Sequence, residues 1–271
     1  MFLAARPPSE RSPARITLLG APYDATASFR RGSRFGPVAI RRASDSIETY
    51  SPTLDRDLVD ASFVDGGDLL LDGLEPAEMV KTIRRQVPRG VPFFLGGEHT
   101  ITLGAVQGIT PRVPDLTVLQ WDAHTDLRDE YDGERIAHAT VMRRLLDGGL
   151  PLVQLGIRAG TREEFALAQG RCLYSSRSVK LPPALVDTLR TRPLYLSVDV
   201  DVLDPAVAPG TGNPEPDGAA YAEVLDGLRS LADCRIAGMD LVEVAPALDP
   251  SGRTAVIAAS LVREMLLLYG G

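Results

Sequence analysis

The sequence predicts one α/β domain whose central sheet is mainly parallel and carries helices on both faces. Short apolar runs rich in β-branched residues alternate with amphipathic stretches, which is the order of parallel βαβ units. The strand runs are almost continuously apolar, as expected where both faces of a sheet are covered. No internal repeat, low-complexity tract or linker divides the 271 residues into separate domains.

Each element is predicted from its own pattern. The apolar runs predict strands at residues 15–21, 91–95, 116–121, 152–157, 194–200 and 235–241. The amphipathic stretches predict helices at residues 38–47, 77–86, 139–146, 219–231 and 254–268. The last of these helices is expected to cover one face of the sheet. Ligands of open parallel sheets bind beyond the carboxyl ends of the strands, so functional residues are expected where the apolar runs end.

The composition is that of a globular protein and argues against several kinds of partner. No window offers the ~20 consecutive apolar residues that a membrane span needs. The net charge of −7 argues against nucleic acid, because phosphate binding needs a basic face. Residues 1–14 lack an apolar signal segment and are expected to be a flexible N-terminus before a single domain at 15–271. Cys172 and Cys234 match no motif, so we expect reduced thiols and a cytoplasmic protein.

Metal-ligand side chains gather at the ends of three predicted strands. They are His99, Asp122, His124, Asp126, Asp199 and Asp201. Side chains alternate along a strand, so Asp122, His124 and Asp126 project to one side if the strand stays extended that far. Buried carboxylates cost several kcal/mol each unless a counter-charge neutralises them. A pair of divalent cations would do so, and four Asp with two His suit Mn²⁺ better than a thiolate zinc site.

The histidines strengthen this interpretation. A lone histidine is more often a packed core or surface residue, yet all three histidines of the chain lie in or beside these segments. His138 begins a helix-like run, and helix capping is its alternative role. Glu243 ends the strand predicted at 235–241, and a surface or capping carboxylate is its alternative. Asp204 precedes a proline, which is typical of a turn, and is left out of the predicted site.

These segments resemble the ureohydrolase family of arginases and agmatinases along nearly the whole chain, and most of all prokaryotic agmatinases. The resemblance lies in Gly-Gly-Glu-His ending at His99, Asp-Ala-His-Thr-Asp at 122–126, Ser-Val-Asp-Val-Asp at 197–201 and Asp-Leu-Val-Glu-Val-Ala-Pro at 240–246. Any one short motif is weak, whereas the set is specific. The resemblance implies an arginase-like three-layer α/β/α fold, a homo-oligomer (a trimer or hexamer) and two Mn²⁺ per chain.

The resemblance also implies a role for each residue. One metal would be held by His99, Asp122, Asp126 and Asp199, and the other by Asp122, His124, Asp199 and Asp201. Asp126 would also hydrogen-bond the attacking oxygen. Glu243 would hold the guanidinium in a bidentate pair, and His138 would carry the proton that the leaving amine requires. Glu98 stands where many relatives carry Asp, and we expect little consequence because that position is not a ligand.

The resemblance implies hydrolysis of a guanidino group to release urea, and other classes fit less well. Two-metal phosphoesterases use an Asn-His motif, whereas Asn213 is the one asparagine of this chain and no histidine follows it. A non-catalytic member of the family would be expected to lack ligands, and none is missing. Histone-deacetylase-like proteins keep one metal site, and the second Asp of each pair here argues for two.

The predicted substrate is agmatine, with aminopropylagmatine, guanidinobutyrate and arginine as alternatives. The segment at 127–137 carries four acids against two arginines and lacks the Asn- and Ser/Thr-rich pattern of arginases. A negative segment near the mouth of a site favours a substrate with a distal ammonium. The same charges are also ordinary in a solvated loop. If Arg128 faces the cleft, it favours the carboxylate tail of guanidinobutyrate instead.

Overall fold

An eight-stranded sheet forms the middle layer of the computed structural model, which describes residues 1–6 and 14–271. Its strands lie in the order β4-β1-β5-β10-β9-β6-β7-β8, and every neighbouring pair is parallel. A short antiparallel pair, β2 and β3, lies apart from this sheet. The strands are β1 (Ile16–Ala21), β2 (Tyr50–Ser51), β3 (Arg56–Asp57), β4 (Phe63–Asp68), β5 (Val91–Gly96), β6 (Thr117–Trp121), β7 (Leu152–Leu155), β8 (Tyr174–Ser176), β9 (Leu194–Asp199) and β10 (Ile236–Val242).

Helices cover both faces of the sheet, so the predicted three-layer α/β/α fold is confirmed. One apolar cluster joins one face of the sheet to helices α1, α6, α7 and α8, and a second joins the opposite face to α2, α3, α4 and α5. No described helix is long and apolar enough to cross a membrane. The helices are α1 (Gly36–Ser44), α2 (Pro76–Gln86), α3 (Ile101–Ile109), α4 (Val141–Asp147), α5 (Arg162–Arg171), α6 (Pro183–Arg190), α7 (Tyr221–Arg229) and α8 (Arg253–Tyr269).

The N-terminal segment is packed where the structure describes it. Phe2 is 2% exposed and its ring meets Phe63 of β4 with 6.5 Å between centroids. The Phe2 backbone N–H donates to Asp65 Oδ2 at 2.7 Å. The predicted flexible N-terminus covers residues 1–14, of which 7–13 lie outside the described residues. Within residues 1–6, the buried Phe2 ring packs against β4 at the edge of the sheet.

The sheet order explains how distant motifs converge. Strands β5, β10, β9 and β6 are consecutive neighbours, although the chain visits them in a different order. Because all of them are parallel, their carboxyl ends lie at one edge, and the loops that follow them meet there. This edge carries every residue predicted to bind metal.

Candidate metal centre

His99 lies at the centre of the first group of ligand-type side chains. Its Nδ1 is 3.0 Å from an oxygen of Asp122, 3.0 Å from one of Asp126 and 3.5 Å from one of Asp199. This buried nitrogen has no hydrogen-bond partner among the described residues. A buried ring nitrogen surrounded by carboxylates and left without a hydrogen bond is the arrangement that a metal ion would complete.

His124 forms the second group with two aspartates. Its Nδ1 is 2.8 Å from Asp201 Oδ2 and 3.6 Å from Asp122 Oδ1. Ligand atoms of His99, Asp122 and Asp126 lie within 4.8 Å of one another, and so do those of Asp122, His124 and Asp201. The two groups therefore share Asp122, and their carboxylates and imidazoles are donors that can hold a divalent metal ion.

The backbone that carries these ligand-type side chains is not extended, although Asp122, His124 and Asp126 are spaced two residues apart. Strand β6 ends at Trp121, and Asp126 has the left-handed φ of 53°. Strand β9 ends at Asp199, after which Asp201 lies in a 3₁₀ turn and donates its N–H to Asp199 Oδ1 at 2.8 Å. The condition for the expected alternation, a strand that stays extended as far as Asp126, is therefore not met. Turns, rather than strand pleats, bring these carboxylates together.

The pKa values reflect acids that are buried close to one another. Burial and the charges of Asp201 and Asp122 raise the pKa of Asp199 well above its usual range. Burial and the charge of Asp122 raise the pKa of Asp126 to about 7. Burial disfavours a charged His124, but Asp201 and Asp122 outweigh it and raise the pKa of His124 to about 12. Divalent cations would reverse these trends, because they stabilise the carboxylates and need neutral imidazoles.

Glu243 lies beside the first group. It follows β10, has a left-handed φ of 66° and accepts a hydrogen bond from the His99 backbone N–H at 2.8 Å. Its own backbone N–H donates to the Gly97 carbonyl at 2.8 Å. Burial and the charge of Glu98 raise the pKa of Glu243 to about 8. A non-glycine residue held in this backbone region costs of order 1–3 kcal/mol, and such residues are concentrated at functional sites.

His138 is a buried histidine whose ring is neutral at pH 7. Burial lowers its pKa to about 4, with a further contribution from the charges of His124 and His99. Its Nε2 is 3.3 Å from Ser28 Oγ, and its backbone N–H donates to Thr26 Oγ1 at 3.1 Å. The ring is free of a carboxylate partner within the described part of the chain, which suits a group that exchanges a proton with substrate.

Glu98 has a role that the sequence did not reveal. Its side chain is fully buried and accepts hydrogen bonds from Thr26 N at 2.8 Å and from Thr100 Oγ1 at 2.6 Å. Thr26 in turn contacts His138. Glu98 belongs to neither group of candidate ligands, yet it fixes the loop that carries Thr26. In the sequence, the one indication of this role was that Glu98 directly precedes His99.

A cavity of about 330 Å³ opens above both groups. Arg128 and Tyr131 line it, but the four acids of the predicted negative segment do not. Arg128 thus faces the cavity, with its Cζ 5.1 Å from the Tyr131 ring centroid and its Nε 3.6 Å from Glu164. Asp129 turns away and pairs with Arg144. The acids of the negative segment therefore do not form the wall of the cavity, although its Arg128 and Tyr131 do.

One further acid, Glu215, lies on the cavity wall. Its Oε1 is 3.8 Å from His124 Nε2, and its side chain is 39% exposed. The carboxylate accepts no hydrogen bond from any described residue, although its backbone carbonyl accepts one from Arg158 at 3.0 Å. The Arg158 guanidinium also donates to the Asp201 carbonyl at 2.7 Å. Arg158 thus ties the loop of Glu215 to the turn that carries a candidate ligand.

Comparison with known proteins agrees with this geometry. The model of the arginase family matches residues 14–268. The chain belongs to the arginase family. The agmatinase of Bacillus subtilis strain 168 is 40% identical, with 98% of this chain and 95% of that protein covered. The N(1)-aminopropylagmatine ureohydrolase of Thermococcus kodakarensis is 36% identical, with 91% and 88% covered.

Solved structures show the same fold. The agmatine ureohydrolase of Thermoplasma volcanium superposes with a TM-score of 0.85 at 32% identity. The superposition covers 95% of this chain and 90% of that one. The resemblance to the ureohydrolase family, which rested on four short motifs, is confirmed over the whole domain.

Proposed function

We propose that this arginase-family hydrolase binds two Mn²⁺ ions and releases urea from a guanidino compound, with agmatine as its substrate. The main observation behind this proposal is that two groups of candidate ligands share Asp122 and that both groups line one cavity, through His99 and Asp126 in the first and His124 and Asp201 in the second. In this proposal one cation is held by His99, Asp122, Asp126 and Asp199, and the other by Asp122, His124, Asp199 and Asp201. When bound, the cations would supply the Lewis acidity that activates water at neutral pH.

The remaining groups of the site divide the work on the substrate. Glu243 lies beside His99 and faces the cavity, where it binds the guanidinium through charge-assisted hydrogen bonds. The positive charges of the guanidinium and of the cations would keep this acid ionised, although burial and the charge of Glu98 raise its pKa to about 8. Asp126 orients the attacking oxygen as well as ligating. His138 is neutral at pH 7 because burial lowers its pKa to about 4. Its ring nitrogen takes up a proton and passes it to the departing amine. The products are urea and the free amine.

Glu215 supports a substrate with a positively charged tail. Its carboxylate lines the cavity and accepts no hydrogen bond from a described residue. Asp126 also lines the cavity and accepts none, but it belongs to a group of candidate ligands, whereas Glu215 does not. Glu164, by contrast, accepts hydrogen bonds from Thr125 Oγ1 and the Leu127 N–H and lies 3.6 Å from Arg128. An ammonium on the far end of agmatine would pair with Glu215. The agmatine proposal thus rests on this single acid rather than on the charge of the segment at 127–137.

Arg128 favours the rival substrate, guanidinobutyrate, because it faces the cavity. Its positive charge is already opposed by Glu164 at 3.6 Å and its plane lies over Tyr131. A carboxylate tail would therefore compete with an existing partner, whereas an ammonium tail meets a free acid. This difference in charge compensation supports agmatine over guanidinobutyrate as the substrate.

A panel of substrates tests the proposal. With Mn²⁺ present, kcat/KM for urea release is measured with agmatine, aminopropylagmatine, arginine and guanidinobutyrate. We expect Glu215→Gln to lower kcat/KM for agmatine about 5- to 30-fold, the scale of one partly solvated charge-assisted bond. Glu134→Gln, in the negative segment outside the cavity, is the matched control and should change little. A wild-type preference for guanidinobutyrate or arginine would contradict the choice of substrate.

A further inference from the structure

A row of buried polar side chains crosses four neighbouring strands directly beneath the candidate ligands. Gln154 of β7 pairs in register with Gln120 of β6, Gln120 pairs with Ser197 of β9, and Ser197 pairs with Asp240 of β10. All four side chains are fully buried. Two residues further along each chain segment stand two proposed ligands: Asp122 directly follows β6, and Asp199 is the last residue of β9.

The row is anomalous for the interior of a parallel sheet. On the same face, the positions two residues before it are apolar or aromatic, among them Leu152, Val118 and Tyr195. Burying an amide, hydroxyl or carboxyl group without partners costs roughly 1–3 kcal/mol or more. Each member of the row is therefore expected to be tied by hydrogen bonds, and the pattern of those bonds indicates what the row holds.

One half of the row ends at His99. Asp240 accepts a hydrogen bond from Ser197 Oγ at 2.6 Å, so the hydroxyl proton is used there. Ser197 Oγ lies 2.8 Å from His99 Nε2 and must act as acceptor toward it. Nε2 consequently carries a proton, so Nδ1, which faces Asp122 and Asp126, is the ring nitrogen left to bind a metal ion.

Asp240 is itself fixed at its other oxygen. Its Oδ2 accepts hydrogen bonds from Thr102 Oγ1 on α3 and from Tyr195 OH on β9, both at 2.7 Å. The acid is thereby anchored to the helix layer and to the neighbouring strand. The orientation of the His99 ring is set by groups that lie wholly inside the domain.

The other half of the row ends at Asp122. Gln120 Nε2 donates to Asp122 Oδ2 at 2.7 Å and to the His124 carbonyl at 3.3 Å. Gln154 Nε2 donates to Gln120 Oε1 at 2.6 Å and to the Thr125 carbonyl at 2.7 Å. Both amide protons of each glutamine are used, so neither amide can flip without losing bonds.

We propose that this polar row, Gln154, Gln120, Ser197 and Asp240, is a positioning device for the metal centre. Ser197 sets the tautomer and ring orientation of His99, and Gln120 sets the carboxylate of Asp122. The inference rests on the proposed function, because it needs the two cations. It adds an asymmetry: His99 belongs to one proposed site, whereas Asp122 is shared by both.

Metal titration of three variants tests the device without using catalysis. Protein stripped by a chelator is titrated with Mn²⁺ in a calorimeter, and the rise in Tm on adding Mn²⁺ is measured in parallel. Ser197→Ala should weaken one of the two binding events by roughly 10- to 100-fold, the usual effect of removing a group that orients a ligand. Gln120→Leu should weaken both.

Thr117→Val is the matched control. Thr117 is fully buried on β6, and its hydroxyl has no partner among the described residues. It lies on the opposite face of the strand from Gln120, so its loss removes a buried hydroxyl without touching the row. We expect wild-type Mn²⁺ affinity and a wild-type rise in Tm for this variant. If either test variant does not fold, the other decides.

The outcomes separate the two proposals. A wild-type chain that binds no Mn²⁺ would overturn the proposed function and this inference together. A wild type that binds two ions, with Ser197→Ala and Gln120→Leu indistinguishable from Thr117→Val, would overturn the inference alone. Equal weakening of both ions by Ser197→Ala would contradict the assignment of His99 to a single site.

Discussion

Replacing Glu243 by Gln removes a charge from the proposed guanidinium pocket while keeping its shape. The His99 backbone N–H donates to Glu243 Oε1 at 2.8 Å, and an amide oxygen preserves that bond. What disappears is the negative charge and one of two acceptor oxygens facing the substrate. A hydrogen bond to a charged partner contributes about 1.5–3 kcal/mol. At 1.36 kcal/mol per tenfold, kcat/KM should fall about 10- to 150-fold.

The assay is urea release from agmatine over a range of concentrations, with the metal content measured on the same sample. Glu264→Gln serves as a control, since Glu264 is a buried acid that lies away from the cavity on α8, where it pairs with Arg263 and accepts a hydrogen bond from Ser51 Oγ. That variant should lose stability and keep its kcat/KM. Unchanged kcat/KM in Glu243→Gln with full metal content would refute the assignment of the guanidinium pocket.

Further expectations concern the proton, the metals and the fold. His138→Asn should lower kcat roughly 10²- to 10⁴-fold, with the Mn²⁺ content of the wild type. Chelation of Mn²⁺ should lower the free energy of unfolding, measured by denaturant titration, by about 2.7 kcal/mol for each bound ion relative to protein with free Mn²⁺ at 100 times Kd. Gly97→Ala should cost about 1–3 kcal/mol, also by denaturant titration, because a Cβ there would lie 1.9 Å from the Tyr23 carbonyl. Truncation after Ser251 removes α8 and should abolish soluble protein in an expression test; a soluble, active product would contradict the placement of that helix.

The strands that the sequence predicted are those with long apolar runs. Runs of this kind formed β1, β5, β6, β7, β9 and β10, with ends within about two residues of the structure. Strand β4 (Phe63–Asp68) was missed because Phe-Val-Asp-Gly-Gly-Asp ends in two glycines and two acids at the sheet edge. Strand β8 is a three-residue edge strand with a mixed sequence. Edge strands are solvated on one side, so apolar periodicity does not mark them.

Several helices lacked the periodicity on which prediction depends. Helix α3 (Ile101–Ile109) is buried around most of its circumference and contains Gly104 and Gly108, so no polar face appears in its sequence. Helix α5 begins at a capping box formed by Thr161 and Glu164 but shows almost no apolar side. Their positions are fixed by tertiary packing rather than by local pattern.

The sequence was enough to predict which side chains belong to the candidate site. It was not enough to predict how the backbone brings them together. Charged residues at the ends of buried strands are costly, so Asp122 and Asp199 stood out from the sequence alone. Glu215 did not, because it lies in an irregular loop whose approach to His124 depends on Arg158. The polar row could not be predicted either, since a single Gln or Ser within an apolar run is common in buried strands. Its four residues come together only through the register between neighbouring strands.

The position of β10 in the sheet bears on how the site is assembled during folding. The last strand in the chain inserts between β5 and β9, and so joins the half that carries His99 to the half that carries Asp199. His124 and Asp201, which are 77 residues apart in the chain, can come into contact before residues 236–242 are synthesised. His99 cannot be brought to Asp199 until β10 has paired between β5 and β9. Contacts between such distant segments form late because closing long loops costs entropy. A nascent chain is thus expected to hold one cation before it can hold two.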